Sequence, residues 1–180
     1  EDDRPSNSTV GVPVDIVTLN LQKGFDPGDA VHFLDDDNHW ANFNIERDEV
    51  ATDVHWAAGK TFDYMSEVLD WNGINNSSLP YRSYVHLGDN EFNAFWSGGL
   101  GIARFGDGDD PTEITPLTSL DIVGHEYTHG VIDYTANLRY QKESGALNES
   151  FADIIGTAIE FWAKPGEANW LAGDEIYING

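Results

Sequence analysis

Residues 121–131 read Asp121-Ile122-Val123-Gly124-His125-Glu126-Tyr127-Thr128-His129-Gly130-Val131. Positions i and i+4 of a helix lie on one face about one turn apart, so His125 and His129 can turn both imidazoles toward a single ion. Glu126 lies about 100° further round the same helix, within reach of a water on that ion. The spacing predicts a helix from about Ser119, a serine suited to capping it, to Tyr134. Two histidines on an amphipathic helix can also be ordinary residues. A catalytic zinc needs a third protein ligand and one open position.

Working outward, Glu149 follows His129 by twenty residues, in Gly145-Ala146-Leu147-Asn148-Glu149-Ser150-Phe151-Ala152-Asp153. A further helix is predicted from about Gly145 to Ala163, ending at Lys164-Pro165-Gly166. Two helices joined by a loop of about ten residues can pack antiparallel and bring Glu149 to the histidine pair. Asp153 shares the Glu149 face at i+4. There it can accept the free ring N–H of a ligand histidine, which fixes the tautomer. The competing reading of Glu149 and Asp153 is a solvated acidic face.

Upstream the pattern changes. Val54, Ala58, Phe62, Met65 and Leu69 form an apolar stripe, predicting a helix over about Asp48–Trp71 that stops at Asn72-Gly73. Val14, Ile16 and Thr18 alternate with Asp15, Val17 and Leu19, and residues 81–87 and 93–105 read as strands. Residues 26–29 and 35–38 read as loops and Gly106–Pro111 as a turn. Strand material first and motif-bearing helices later is α+β organisation, not alternating βαβ. The expected fold is a mainly antiparallel twisted sheet followed by long helices. Its β-rich part covers about residues 1–117 and its helical part about 118–180 of one catalytic lobe.

The 180 residues include 40% apolar and 12% aromatic side chains, enough for a sizeable core. The absence of cysteine excludes disulfides, thiolate metal sites and cysteine nucleophiles, and is compatible with secretion. No leader precedes Glu1, so a leader was either removed or never there. Nine Lys+Arg against 32 Asp+Glu give a net charge of −23. That field repels nucleic acid and anionic membranes and attracts divalent cations and basic peptides.

Several separated blocks now stand in order: Asn93-Ala94-Phe95-Trp96, Gly106-Asp107-Gly108-Asp109, residues 121–131, and Glu143-Ser144-Gly145-Ala146-Leu147-Asn148-Glu149-Ser150. Together, over about residues 53–177, they resemble the thermolysin-like family of zinc metallopeptidases, the neutral proteases. The resemblance implies zinc held by His125, His129 and Glu149, with Glu126 as general base and proton shuttle. It implies that Asp153 orients His125 and that Tyr140 donates to the tetrahedral oxyanion. Asn93 and the carbonyl of Ala94 would grip the peptide backbone and the leaving amine. Ile122 would line the pocket for the side chain after the scissile bond, a bulky apolar residue in this family.

Asp121, Glu160, Asn169 and Asp174 offer hard oxygen ligands suited to calcium, and the resemblance matches them to a structural calcium site with a carbonyl near Leu171. Asn169 stands where an Asp is usual, and Leu171 where two-calcium members carry an acid. Residues 35–39 (Asp-Asp-Asp-Asn-His) resemble another calcium loop, or are simply an acidic turn. The family's catalytic unit is longer, and its C-terminal helical lobe is expected to lie outside this chain. His32, His39, His55 and His86 all precede the zinc motif, so none matches the transition-state histidine of that lobe. The chain therefore reads as a fragment or a short version, whose cleft a C-terminal lobe or a second chain could complete.

The leading expectation is a zinc-dependent, secreted endopeptidase acting on peptide or protein substrates. The alternatives are a non-catalytic zinc- and calcium-binding module and an unrelated aminopeptidase. An intact Glu126 argues against the module, because binding zinc does not require it. No subsite for a free amine signals the aminopeptidase.

Overall fold

The computed structural model describes residues 13–34, 40, 47–108 and 114–178. The acidic loop at 35–39 and part of the turn after Gly108 lie outside the described residues.

Among the described residues, five strands and three long helices follow in chain order. They are β1 (Ile16–Asn20), β2 (Val31–His32), α1 (Asp48–Leu69), β3 (Tyr81–Leu87), β4 (Ala94–Ser97), β5 (Ile102–Gly106), α2 (Leu120–Tyr134) and α3 (Lys142–Ala163). The strands form one sheet in the order β2-β1-β3-β5-β4. The α+β class holds, but the sheet is mixed rather than mainly antiparallel. β1 pairs β3 in parallel, and so does β3 with β5, whereas β1–β2 and β4–β5 are antiparallel. The parallel β1–β3 pairing is possible because α1 lies between the two strands and carries the chain back. The central strand β3 has all its residues buried except Arg82, as a strand covered on both faces should. The run read as strand over 93–105 is a hairpin, turning between Ser97 and Ile102 with Gly101 at φ +68°.

α1 packs Val54, Ala58 and Met65 into the core, with Phe62 half-buried, while Leu69 at the end of the stripe is 47% exposed. Asp70 takes the left-handed conformation and donates its N–H to Met65 O, closing the helix two residues before Trp71. Tyr81 of β3 and Tyr127 of α2, both fully buried, pack with ring centroids 4.7 Å apart and planes tilted by 60°, and the Tyr127 hydroxyl lies 2.6 Å from Ser83 Oγ. That contact satisfies a phenol otherwise stranded in the core. It also locks the motif helix onto the central strand.

α2 and α3 meet through glycine. A Cβ on Gly156 would lie 2.5 Å from Asp121 O, and one on Gly124 would lie 3.2 Å from Gly156 Cα. Down the pair, Asp121 faces Gly156, His125 faces Asp153, and His129 faces Asn148 and Glu149. The helices therefore run antiparallel, and the missing side chains let them approach closely enough for short polar groups to meet.

Candidate metal centre

Three ligand atoms converge between α2 and α3. His125 Nε2 lies 3.0 Å from His129 Nε2 and 3.1 Å from Glu149 Oε2, and His129 Nε2 lies 3.6 Å from Glu149 Oε1. An ion bound tetrahedrally at about 2.0–2.1 Å separates its ligand atoms by about 3.3 Å, and these distances bracket that value. Among the described residues, His125, His129 and Glu149 are the group whose ligand atoms all fall within 4.8 Å of one another.

The outer ring nitrogens explain the orientation. His125 Nδ1 lies 2.9 Å from Asp153 Oδ1, and His129 Nδ1 lies 2.7 Å from Asn148 Oδ1. Asn148 Nδ2 donates to Leu138 O at 3.1 Å, so its oxygen must face the imidazole. Both partners of the imidazoles are acceptors, so both Nδ1 atoms carry hydrogen and both Nε2 lone pairs point inward. Burial, foremost, holds His129 below its ordinary pKa and keeps it neutral, the form that ligates metal. The donor set therefore fits a tetrahedral ion of the zinc type.

Glu126 is 6% exposed beside this group. Burial pushes its carboxyl up to about 8; the Glu149 charge adds to the rise, and a hydrogen bond from the Trp96 backbone opposes it. Trp96 is itself fixed on α2: its indole donates to Asp133 Oδ2 at 2.9 Å, and a Cβ on Gly130 would lie 2.8 Å from the ring. β4 is an edge strand, and Asn93, Ala94, Ile122, His125, Glu126 and Glu149 line a cleft of about 810 Å³ beside it.

Tyr140 is 70% exposed, and its hydroxyl donates to Glu149 Oε1. That hydrogen bond, first, pushes the phenol up to about 12. Tyr140 also lines the cleft.

The expected calcium residues are neighbours. Asp121 Oδ1 accepts from Ser119 Oγ at 2.6 Å and Ile122 N at 2.8 Å, while Oδ2 accepts from Gly173 N at 2.5 Å. Asn169 donates to Asp174 Oδ2 at 2.7 Å and accepts from Leu171 N at 2.7 Å. Glu160 is 3% exposed, and burial, then Asp121, Glu175 and Asp174, push its carboxyl up to about 7. These acids press on one another electrostatically, yet their oxygens do not gather as the zinc-type ligands do.

Sequence reasoning missed Asn148 and the Trp96–Asp133 contact. Asn148 had a signal: it precedes the small residues Ala152 and Gly156 by four and eight positions, on the buried face of α3. The Trp96–Asp133 contact joins residues 37 apart on different elements and leaves no mark in local spacing.

Comparison with known proteins agrees with this geometry. Residues 4–133 match the family described as thermolysin metallopeptidase, catalytic domain, and residues 136–180 match its alpha-helical domain. The expectation that the helical lobe lies wholly outside the chain is thereby corrected: its match begins just after α2 and includes α3 with Glu149. The Bacillus cereus protein named bacillolysin is 43% identical over 145 residues, covering 78% of this chain and 25% of that protein. The transglutaminase-activating metalloprotease of Streptomyces mobaraensis is 42% identical over 168 residues, covering 91% of this chain and 21% of that protein. The chain thus spans about a quarter of the length of the curated relatives it matches. Among solved structures, the precursor of protealysin, a metalloproteinase from Serratia proteamaculans, superposes with a TM-score of 0.77 at 28% identity, covering 98% of this chain and 53% of that one. Two consecutive family matches, relatives at more than 40% identity and a convergent His-His-Glu group agree: the chain belongs to the thermolysin family of metallopeptidases.

Proposed function

We propose that the protein carrying this chain is a zinc-dependent endopeptidase. The observation that supports this most is the convergence of His125, His129 and Glu149 at tetrahedral spacing beside a buried Glu126. Zinc held by these three would lower the pKa of a bound water toward neutrality and polarise the scissile carbonyl. Glu126 then has two tasks: it accepts the proton of the attacking water at its carboxylate and later delivers it to the leaving nitrogen. Its dry surroundings favour the protonated intermediate stage, while the Trp96 backbone bond favours the carboxylate. Asp153 and Asn148 hold the histidine rings throughout.

Substrate binding follows from the cleft. Among the described residues β4 leaves one backbone edge unpaired, to which an extended peptide can add as a strand. Asn93 and the Ala94 carbonyl would grip that peptide, and Ile122 would favour a bulky apolar side chain after the scissile bond. Calcium bound near Asp121, Glu160, Asn169 and Asp174 would relieve the repulsion among these acids. A secreted location suits a cysteine-free, strongly acidic protease, and among the described residues no helix is long and apolar enough to cross a membrane.

Glu126→Gln separates catalysis from metal binding, because the amide keeps the shape but cannot take a proton. Casein hydrolysis is expected to fall at least about 10²-fold, with zinc content unchanged. Hydrolysis undiminished in Glu126→Gln would contradict the general-base role, and a protein that holds zinc yet cleaves nothing in either form would favour the non-catalytic binding lobe.

A further inference from the structure

Each ligand of the metal group has a neighbour that fixes it. For His125 it is Asp153, and for His129 it is Asn148. Glu149 is the ligand whose orientation has the most freedom, since a carboxylate can present either oxygen. Here the two oxygens are already distinguished: Oε2 faces His125 Nε2 at 3.1 Å, while Oε1 receives the Tyr140 hydroxyl. We propose that Tyr140 is a positioning residue of the metal centre, holding Glu149 in its ligating orientation by donating its phenolic hydrogen to Oε1. The inference rests on the metal-binding reading above, and it gives Tyr140 a role distinct from oxyanion donation.

The surroundings favour such a role. The Tyr140 ring stands edge-on to His129, centroids 5.9 Å apart and planes at 85°, so one side chain touches two of the three ligands. Its backbone is seated on the first turn of α3: a Cβ on Gly145 would lie 3.2 Å from Tyr140 C, and Gly145 N donates to Gln141 O at 3.1 Å. Ser144 Oγ donates to Arg139 O at 2.6 Å, tightening the same turn. A phenol has one hydrogen. While it is donated to Glu149 it cannot be donated to a substrate oxyanion. Oxyanion donation by Tyr140 requires that bond to break first. With Oε1 occupied by the phenol, Oε2 is the oxygen that would be offered to an ion held with His125 and His129.

The test is zinc affinity, not turnover. Zinc dissociation constants of wild type, Tyr140→Phe and Tyr140→Leu would be measured by competition with a chromogenic chelator. The melting temperatures of the zinc-free proteins and the visible spectra of the cobalt(II) forms complete the set. The side chain is largely exposed, so the zinc-free variants should melt like wild type. Tyr140→Phe should bind zinc about 10- to 100-fold more weakly, with a changed cobalt spectrum, and Tyr140→Leu no more tightly than Tyr140→Phe. Tyr140→Phe binding within twofold of wild type with an unchanged spectrum overturns the proposal. Wild type that binds no zinc overturns the metal-binding reading beneath it.

Discussion

Asn148 shows how much a single buried side chain can carry. It is 3% exposed, accepts from His129 and donates to Leu138 O, so one amide joins a candidate ligand, the α2–α3 turn and the α3 helix. Asn148→Ala would leave the His129 N–H and the Leu138 carbonyl without these partners. Zinc affinity should drop about 10- to 100-fold, read by chelator competition. Asp153→Ala should cost less, because Asp153 is exposed and water can replace its oxygen at His125. At this scale the sequence was informative about His125 and His129, which helical spacing puts on one face, and about Glu149 and Asp153, which share a face of the next helix; that the two faces meet is seen in the fold. The sequence was less informative about Tyr140: position along the chain indicates proximity to the cleft, but not which acceptor a rotatable hydroxyl selects.

At the scale of elements, the centre depends on how closely α2 and α3 approach. Gly156 has Asp121 O at 2.5 Å and His125 N at 3.1 Å from the place a Cβ would occupy, both backbone atoms of the opposing helix that cannot rotate away. Gly156→Ala should therefore force the helices apart despite alanine's better helix propensity. The expected loss is about 1–3 kcal/mol of stability by urea unfolding, with weaker zinc binding. An alanine variant as stable as wild type would mean the helices can slide without harm. The three helices were legible to within a few residues, α1 from its apolar stripe, α2 from the histidine spacing and its Ser119 start, and α3 from its Lys164-Pro165-Gly166 stop. The sheet was not, because short strands broken by turns look alike whether they pair in parallel or antiparallel. Only α1 between β1 and β3, and the near-total burial of β3, reveal the parallel pairs.

For the whole molecule, charge is the dominant sequence-level fact: 32 acids against nine bases. Glu160 shows where that charge is felt inside the fold, its carboxyl raised from 4.5 to about 7 by burial and by neighbouring acids. Between those two values Glu160 is protonated in the folded protein and ionised in the unfolded chain, so its contribution to stability is lost as pH rises from about 4.5 through 7. In chelator, the urea midpoint should be higher at pH 5 than at pH 8, and Glu160→Gln should flatten that slope. Calcium should oppose it by neutralising the same oxygens. A slope identical in wild type and Glu160→Gln would place the pH dependence elsewhere.

The central claim is that this chain holds one metal ion with two histidines and one glutamate. Its most direct test is zinc stoichiometry by elemental analysis after reconstitution and dialysis, for wild type, His129→Ala and Glu149→Ala side by side. The account predicts one zinc per wild-type chain and a loss of retained zinc in both variants. Wild type without zinc, or variants that keep it as firmly as wild type, would contradict it.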